Sequence, residues 1–293
     1  MTDQRAIPVA EQPVNEPPQK KASRAGRNLP AAIAVGVVLG GGLIAILLFA
    51  PYLWLALVAV AVAISTYEVS RRLEEAGYHI PLIPLLVGGQ ATLWLTWPFG
   101  PAGALGGFAG TVVVCMIWRL VGRGLNHAPQ NYSRDISATV FLATWVPLFA
   151  SFGALLIYPD DGANRVFCLM LGVVFSDIGG YIAGVLFGKH TMAPAISPKK
   201  SWEGLAGSLL FGVTASVLAV MFLLDKPWWA GLALGVMLVI TGTLGDLVES
   251  QFKRDLGIKD MSNLLPGHGG MMDRIDAMLP SAVATWIVLT LLA

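Results

Sequence analysis

From residue 29 onward the chain is a series of long apolar runs separated by short polar turns, a pattern that residues 1–28 do not share. A helix that crosses a bilayer needs about 20 mostly apolar residues. Runs of that kind fall at 29–50, 51–69, 80–98, 101–119, 136–157, 165–187, 204–224, 229–249 and 280–293, with Pro51 dividing the first from the second. The last run is short unless its helix begins in the preceding loop. In hydrocarbon only helices and closed barrels satisfy every backbone polar group, and these runs lack the alternation of barrel strands. The pattern predicts an all-α polytopic membrane protein of about nine transmembrane helices, without a fixed-period repeat or a linker to a second domain.

Composition agrees with that reading. The 293 residues are 55% hydrophobic and 13% charged, with a mean hydropathy of +0.68, against roughly 25% charged in a soluble domain. A soluble single-core protein is excluded. Residues 1–28 hold eight of the 37 charged residues among Pro, Gln and Ala without apolar periodicity. Such a segment buries too little surface to offset its ordering entropy, which predicts a disordered cytoplasmic tail ahead of a membrane domain at 29–293. It lacks the order of a signal peptide, because a long polar stretch precedes an apolar run of over twenty residues. The net charge of +1 gives no basic excess for nucleic acid, and the partner implied is bilayer lipid. Cys115 and Cys168 lie inside apolar runs and are expected to be inert buried thiols.

Lysine and arginine set an orientation. In a nine-span arrangement, 17 of the 19 fall on one side: the tail, the loops at Arg71 and Arg72, at Arg119, Arg123 and Arg134, at Lys189, Lys199 and Lys200, and at Lys253, Arg254, Lys259 and Arg274. Only Arg165 and Lys226 fall on the other. This predicts a cytoplasmic N-terminus, an outer C-terminus and an active site at the cytoplasmic membrane interface.

Two of these cytoplasmic segments hold most of the chemically capable residues. The first runs from Ser176 to Gly204. Asp177 lies within an apolar run, where an ionisable group is costly enough to be a functional candidate. Tyr181, Gly184 and Gly188 follow at i+4, i+7 and i+11 on its face, an arrangement that also suits close helix packing. Lys189, His190, Ser197, Lys199, Lys200 and Ser201 then combine cations and hydroxyls suited to phosphate oxygens, although lysines in a positive-inside loop are also explained by topology alone. The Asp160–Asp161 pair on an outer turn reads as solvated turn residues.

The second segment runs from Asp246 to Asp276. If its helix continues past the interface, Asp246, Ser250 and Lys253 share one face with Glu249. Pro266, Gly267, His268, Gly269 and Gly270 predict a tight turn whose amides approach an anion, with Asp273, Arg274 and Asp276 directly after it. Carboxylates gathered at a helix end beside Lys and Arg suit a Mg²⁺-dependent phosphate site, since Mg²⁺ takes oxygen ligands and uses one or two carboxylates together with substrate phosphates. His268 reads equally as a structural donor or a base.

Ser250, Phe252, Lys253, Arg254, Lys259, Asp260, Ser262, Leu265, Pro266, His268, Gly269, Gly270, Asp273, Arg274 and Asp276 together resemble the signature of the phosphatidate cytidylyltransferases (CDP-diacylglycerol synthases). Asp177, Tyr181, Gly184, Gly188, Pro194 and the run from Ser197 to Gly204 are similar to the segment that precedes it. The resemblance covers about residues 171–280. It implies an integral membrane enzyme of phospholipid synthesis that condenses CTP with phosphatidic acid, giving CDP-diacylglycerol and pyrophosphate. It also implies Mg²⁺, with a second cation such as K⁺ sharing the site, a homodimer, and a place in the cell membrane with the site facing the cytoplasm.

On the resemblance, the metal-binding aspartates are Asp246 and Asp273, with Asp177 facing the same cavity. The reading that follows gives catalysis to Asp246, Ser250, Lys253, Arg254 and Asp273. Substrate binding falls to Asp177, Tyr181, Ser197, Lys199, Lys200, Lys259, His268 and Arg274, and Glu249, Asp260 and Asp276 support the groups that touch substrate. Two alternatives are a CTP-dependent polyprenol or dolichol kinase-like enzyme, which releases CDP rather than pyrophosphate, and a membrane transporter, to which the intramembrane acids and helix glycines also point.

Overall fold

A computed structural model describes residues 40–122, 124–262, 264 and 269–292. The expected tail, the start of the first apolar run and His268 lie outside the described residues. The chain is helical, in keeping with the apolar runs. A short helix α1 (Gly40–Phe49) is followed by a 3₁₀ turn at Pro51–Leu53, then α2 (Trp54–Glu75), α3 (Leu82–Trp94), α4 (Thr96–Val121), α5 (Tyr132–Ala143) and α6 (Phe149–Leu155). The second half comprises α7 (Gly162–Phe187), α8 (Trp202–Leu223), α9 (Trp228–Asp255), the single turn α10 (Met272–Ile275) and α11 (Met278–Leu292). Seven helices among the described residues are long and apolar enough to cross a membrane, counting α5–α6 and α10–α11 as one each. The apolar helices α1 and α3 are shorter.

The boundaries follow from local chemistry. Pro51 opens the turn that separates α1 from α2, as expected. Gly100, at φ +56°, breaks helical geometry four residues into α4. The chain reverses there: a Cβ on Gly107 would lie 2.7 Å from Thr92 Cα, and one on Gly88 would strike the Thr111 side chain. The expected division between 80–98 and 101–119 therefore falls at the reversal, although regular hydrogen bonding already joins Thr96–Phe99 to α4. Between α5 and α6 the helix widens to a π turn at Thr144–Leu148 around Pro147, because proline supplies no N–H to the ladder. Residues 136–157 thus form one bent span that begins four residues early. The last helix does begin in the preceding loop, at Met272.

The core has two apolar clusters. One joins α2–α6 to Met261 and Met272, and the other joins α1 and α2 to α7, α8, α9 and α11. Within the second, α7 and α8 approach closely: a Cβ on Gly207 would meet Gly179 O at 2.4 Å, and one on Gly180 would meet Ser208 Oγ at 2.4 Å. Gly184, on the face drawn from Asp177, takes part in the same contact, a Cβ there lying 3.8 Å from Gly204 Cα of α8. Cys115 and Cys168 are both buried and unpaired, as expected. The Asp160–Asp161 turn behaves as read, Asp161 pairing with Arg165 one helical turn on at 2.6 Å.

One element went unforeseen. The stretch read as a loop after α7 forms an antiparallel hairpin, β1 (Thr191–Ala193) against β2 (Ser197–Ser201), with Thr191 opposite Ser201 and Ala193 opposite Ser197. Its last residue starts α8, Ser201 Oγ accepting the N–H of Gly204 at 3.1 Å.

Candidate active site

The ends of α7, α8 and α9 that adjoin this hairpin surround a polar cavity of about 380 Å³. Asp177, Tyr181 and Gly184 reach it from α7, and Ser197, Lys199, Lys200 and Ser201 reach it from β2. Gly204 and Ser208 of α8, with Thr243 and Asp246 of α9, complete its polar wall. The face drawn from Asp177 to Gly184 thus lines a cavity as well as bordering a helix contact. Its size falls at the lower end of the range for small-molecule sites.

The α9 helix continues to Asp255, so Asp246, Glu249, Ser250 and Lys253 share one side as the helical period requires. Lys200 Nζ sits 2.6 Å from Asp246 Oδ2 across the cavity. Ser250 donates to Asp246 Oδ1 at 3.2 Å from one turn along the helix, which holds the carboxylate toward the lysine. Arg254 reaches out to the hairpin, where its Nε donates to the Ile196 carbonyl at 3.3 Å.

Beyond Asp246 lies a second group, more deeply buried. Lys253 Nζ donates both to Glu249 and to Asp273 Oδ1, the latter at 3.0 Å. Glu249 is only 2% exposed, and no N–H or O–H donor among the described residues reaches its Oε1. Asp276 lies within electrostatic reach of both Asp246 and Glu249, so like charges oppose one another between the two groups. Asp273 also accepts the N–H groups of Gly270 at 2.7 Å and Met261 at 3.0 Å.

Those bonds correct one expectation. Of the glycine-turn amides held to be open to an anion, that of Gly270 is taken up internally by Asp273. The reason is steric as well as electrostatic: Gly269 has φ +82°, and a Cβ there would lie 2.8 Å from Asp273 Oδ2, so the glycines let the backbone close on the carboxylate. Lys259 and Asp260 are exposed beyond α9 and, among the described residues, pair with none of the site's side chains. Arg274 is exposed on α10 and does not line the cavity.

Asp246 and Asp273 each face a lysine rather than one another. Among the described residues, no three His, Cys, Asp or Glu side chains converge on a point that would hold a metal. The donor chemistry nevertheless fits a hard divalent cation. Asp177, Asp246, Glu249, Asp273 and Asp276 outnumber Lys199, Lys200 and Lys253, and Glu249 Oε1 is a buried oxygen that no donor among the described residues reaches. Mg²⁺ needs only one or two protein carboxylates when substrate phosphates and water fill the remaining positions.

Sequence reading missed Glu68 on α2. This buried acid accepts the Ser262 hydroxyl and the N–H groups of Met271 at 3.1 Å and Met272 at 3.0 Å. The signal was present: Glu68 falls inside the apolar run 51–69, beside Ser65, Thr66 and Ser70 and ahead of the charged helix end, and an acid within such a run marks a function by default.

Long apolar helices that hold a cavity lined by lysines and carboxylates at one end have the chemistry to receive a phosphate-bearing substrate. The chain matches the cytidylyltransferase family over residues 30–292, and it belongs to that family. It is 62% identical over 294 residues to a phosphatidate cytidylyltransferase of Mycobacterium bovis, covering 97% of this chain and 96% of that one. It is 63% identical over 284 residues to one of Mycobacterium leprae, covering 93% and 91%. A third relative of the same name, from Staphylococcus haemolyticus, is 41% identical over 121 residues, which are 41% of this chain and 46% of that one.

Proposed function

We propose that this cavity joins CTP to phosphatidic acid, giving CDP-diacylglycerol and pyrophosphate. The chain is an integral membrane nucleotidyltransferase, and the activity is that named for its relatives over nearly its whole length. The observation that carries the mechanism is the Lys200–Asp246 pair across a polar cavity at the ends of three membrane helices. It sets a cation and a carboxylate where a water-soluble triphosphate and a bilayer phosphate can meet.

A phosphatidate oxygen attacks the α-phosphorus of CTP in line. The new P–O bond forms as the bond between the α-phosphorus and its bridging oxygen breaks, and pyrophosphate leaves with that electron pair. No general base is needed, because a phosphate monoester with a second pKa near 6 is already largely dianionic at neutral pH. The protein's part is positioning and charge neutralisation. Lys199 and Lys200 hold phosphate oxygens at the cavity wall, and Ser250 fixes the Asp246 carboxylate. Lys253 holds Asp273 and Glu249 in place. Asp177 and Tyr181 border the substrates on the α7 side. Asp246 and Asp273 would hold Mg²⁺, which would offset the charge that develops on the phosphate oxygens.

Counting α1 and α3 as crossings gives nine spans with a cytoplasmic N-terminus. Exposed Tyr52, Trp94, Trp97, Trp228 and Trp229 then fall at the outer ends of their helices, and exposed Trp118 and Trp202 at the inner ends, as interfacial aromatic belts require. The cavity then faces the cytoplasm, the source of CTP, in the cell membrane.

The test is turnover of the detergent-purified protein with CTP, phosphatidic acid and Mg²⁺, following pyrophosphate and lipid product together, with EDTA as control. Equal amounts of pyrophosphate and CDP-diacylglycerol, formed only with metal, are expected. Release of CDP with a newly phosphorylated lipid alcohol would replace this reading with the kinase reaction.

A further inference from the structure

Asp273 is brought to the site by a stretch that is held from the other half of the chain. Glu68 of α2, 5% exposed, accepts the N–H groups of Met271 and Met272 and the hydroxyl of Ser262. One turn further along α2, Arg72 Nε donates to the Met261 carbonyl at 2.6 Å. Asp273 takes the N–H groups of Met261 and Gly270 from the inner side. Met261 and Ser262 on one side, and Gly270 to Met272 on the other, are therefore each gripped twice, once by α2 and once by Asp273. Gly270 lies against the outer grip: a Cβ there would stand 2.8 Å from Glu68 Oε2 and 3.0 Å from Oε1. A buried carboxylate is tolerated only when donors satisfy it, and here three come from this one stretch.

We infer that Glu68 is a positioning residue for cytidylyl transfer, fixing the stretch before α10 so that Asp273 meets Lys253, with Arg72 fixing the other end. The inference rests on the assignment of Asp273 to the site. Glu68 does not line the cavity and acts through the backbone that leads to Asp273.

Glu68→Gln keeps the size of the side chain but turns an amide NH₂ toward backbone donors. The full-length protein in detergent is examined by hydrogen exchange with mass spectrometry, together with kcat and the KM for CTP. Exchange at Met271 and Met272 should accelerate by about tenfold or more while α3–α4 and α7–α8 stay unchanged. The kcat should fall about 100-fold, the cost of misplacing a reacting group by roughly an ångström, with KM for CTP little altered and Glu68→Asp intermediate.

Wild-type exchange and kcat in Glu68→Gln would overturn the inference. So would acceleration spread through the whole chain, with kcat lost only in proportion to folded protein. Should Glu68→Gln fail to fold, Gly270→Ala pushes on the same carboxylate from the other side. It should reproduce the local exchange and the kcat loss, and wild-type behaviour there would overturn the inference equally. Exchange reports the clamp without turnover, so a wild-type protein that released no pyrophosphate would refute the proposed reaction separately.

Discussion

Replacing Lys253 by methionine tests the buried half of the site most directly. The side chain keeps its length and apolar stem but loses the charge that lies between Glu249 and Asp273, whose side chains are 2% and 7% exposed. The two acids then face each other and Asp276 without that cation. Removing one partner of a buried ion pair costs about 3–5 kcal/mol, because the remaining charge stays desolvated. Lys253 is itself 16% exposed, so the lower end, about 3 kcal/mol, is the expectation. At roughly 2–4 °C per kcal/mol for a chain of this size, thermal unfolding in detergent should begin about 6–12 °C lower.

A second substitution separates this cause from simple loss of packing. Glu249→Gln in the Lys253→Met background removes one of the stranded charges and should recover about 1.5–3 kcal/mol, a coupling typical of residues in one network. Turnover should fall at least about 100-fold in both proteins, since Asp273 has lost its guide in each. An onset of unfolding in Lys253→Met within about 2 °C of wild type, where even 1 kcal/mol would show, would refute the reasoning. A double variant no more stable than the single one would refute it as well.

Asp246→Asn should fold normally, lose kcat by about 100-fold or more, and respond differently to Mg²⁺; wild-type turnover across a Mg²⁺ titration would remove Asp246 from the metal assignment. Asp135, fully buried between Arg119 and Arg134 at 2.8 and 3.0 Å, lies outside the cavity. Asp135→Asn should cost about 3 kcal/mol of stability while leaving KM for CTP unchanged, so thermal unfolding and kinetics together check that this cluster is structural. Gly207→Val would force a side chain against the Gly179 carbonyl, 2.4 Å from the first added carbon. It should part α7 from α8 at a cost of roughly 2 kcal/mol or more, read as reduced folded yield and earlier unfolding; a fully stable variant would show that this helix contact is loose.

The helical membrane architecture was legible in the sequence because hydrocarbon imposes it locally. Each apolar run must satisfy its own backbone, so its length and period already specify a helix. The same locality placed Asp246, Ser250 and Lys253 on one face of α9, since residues three and four apart share a face wherever the helix goes. Pro51 marked its boundary for an equally local reason, a missing donor. The hairpin between α7 and α8 was less legible, because Pro194 and Pro198 read as loop residues and only the pairing of Thr191 with Ser201 makes strands of their neighbours.

Tertiary packing decided which charges met across elements. Lys200 and Asp246 lie on different elements, and their pairing depends on how α9 leans against the hairpin. The expected pair of metal aspartates turned out to face separate lysines. Glu68 meets its partners about 200 residues further along the chain, a contact that no period within α2 encodes. Backbone periodicity is a property of a dozen residues, whereas the partner of a buried charge is set by whichever donors the folded bundle brings to it. Desolvation makes every such pairing consequential, and the position of Asp273 is therefore written as much in α2 as in the segment that carries it.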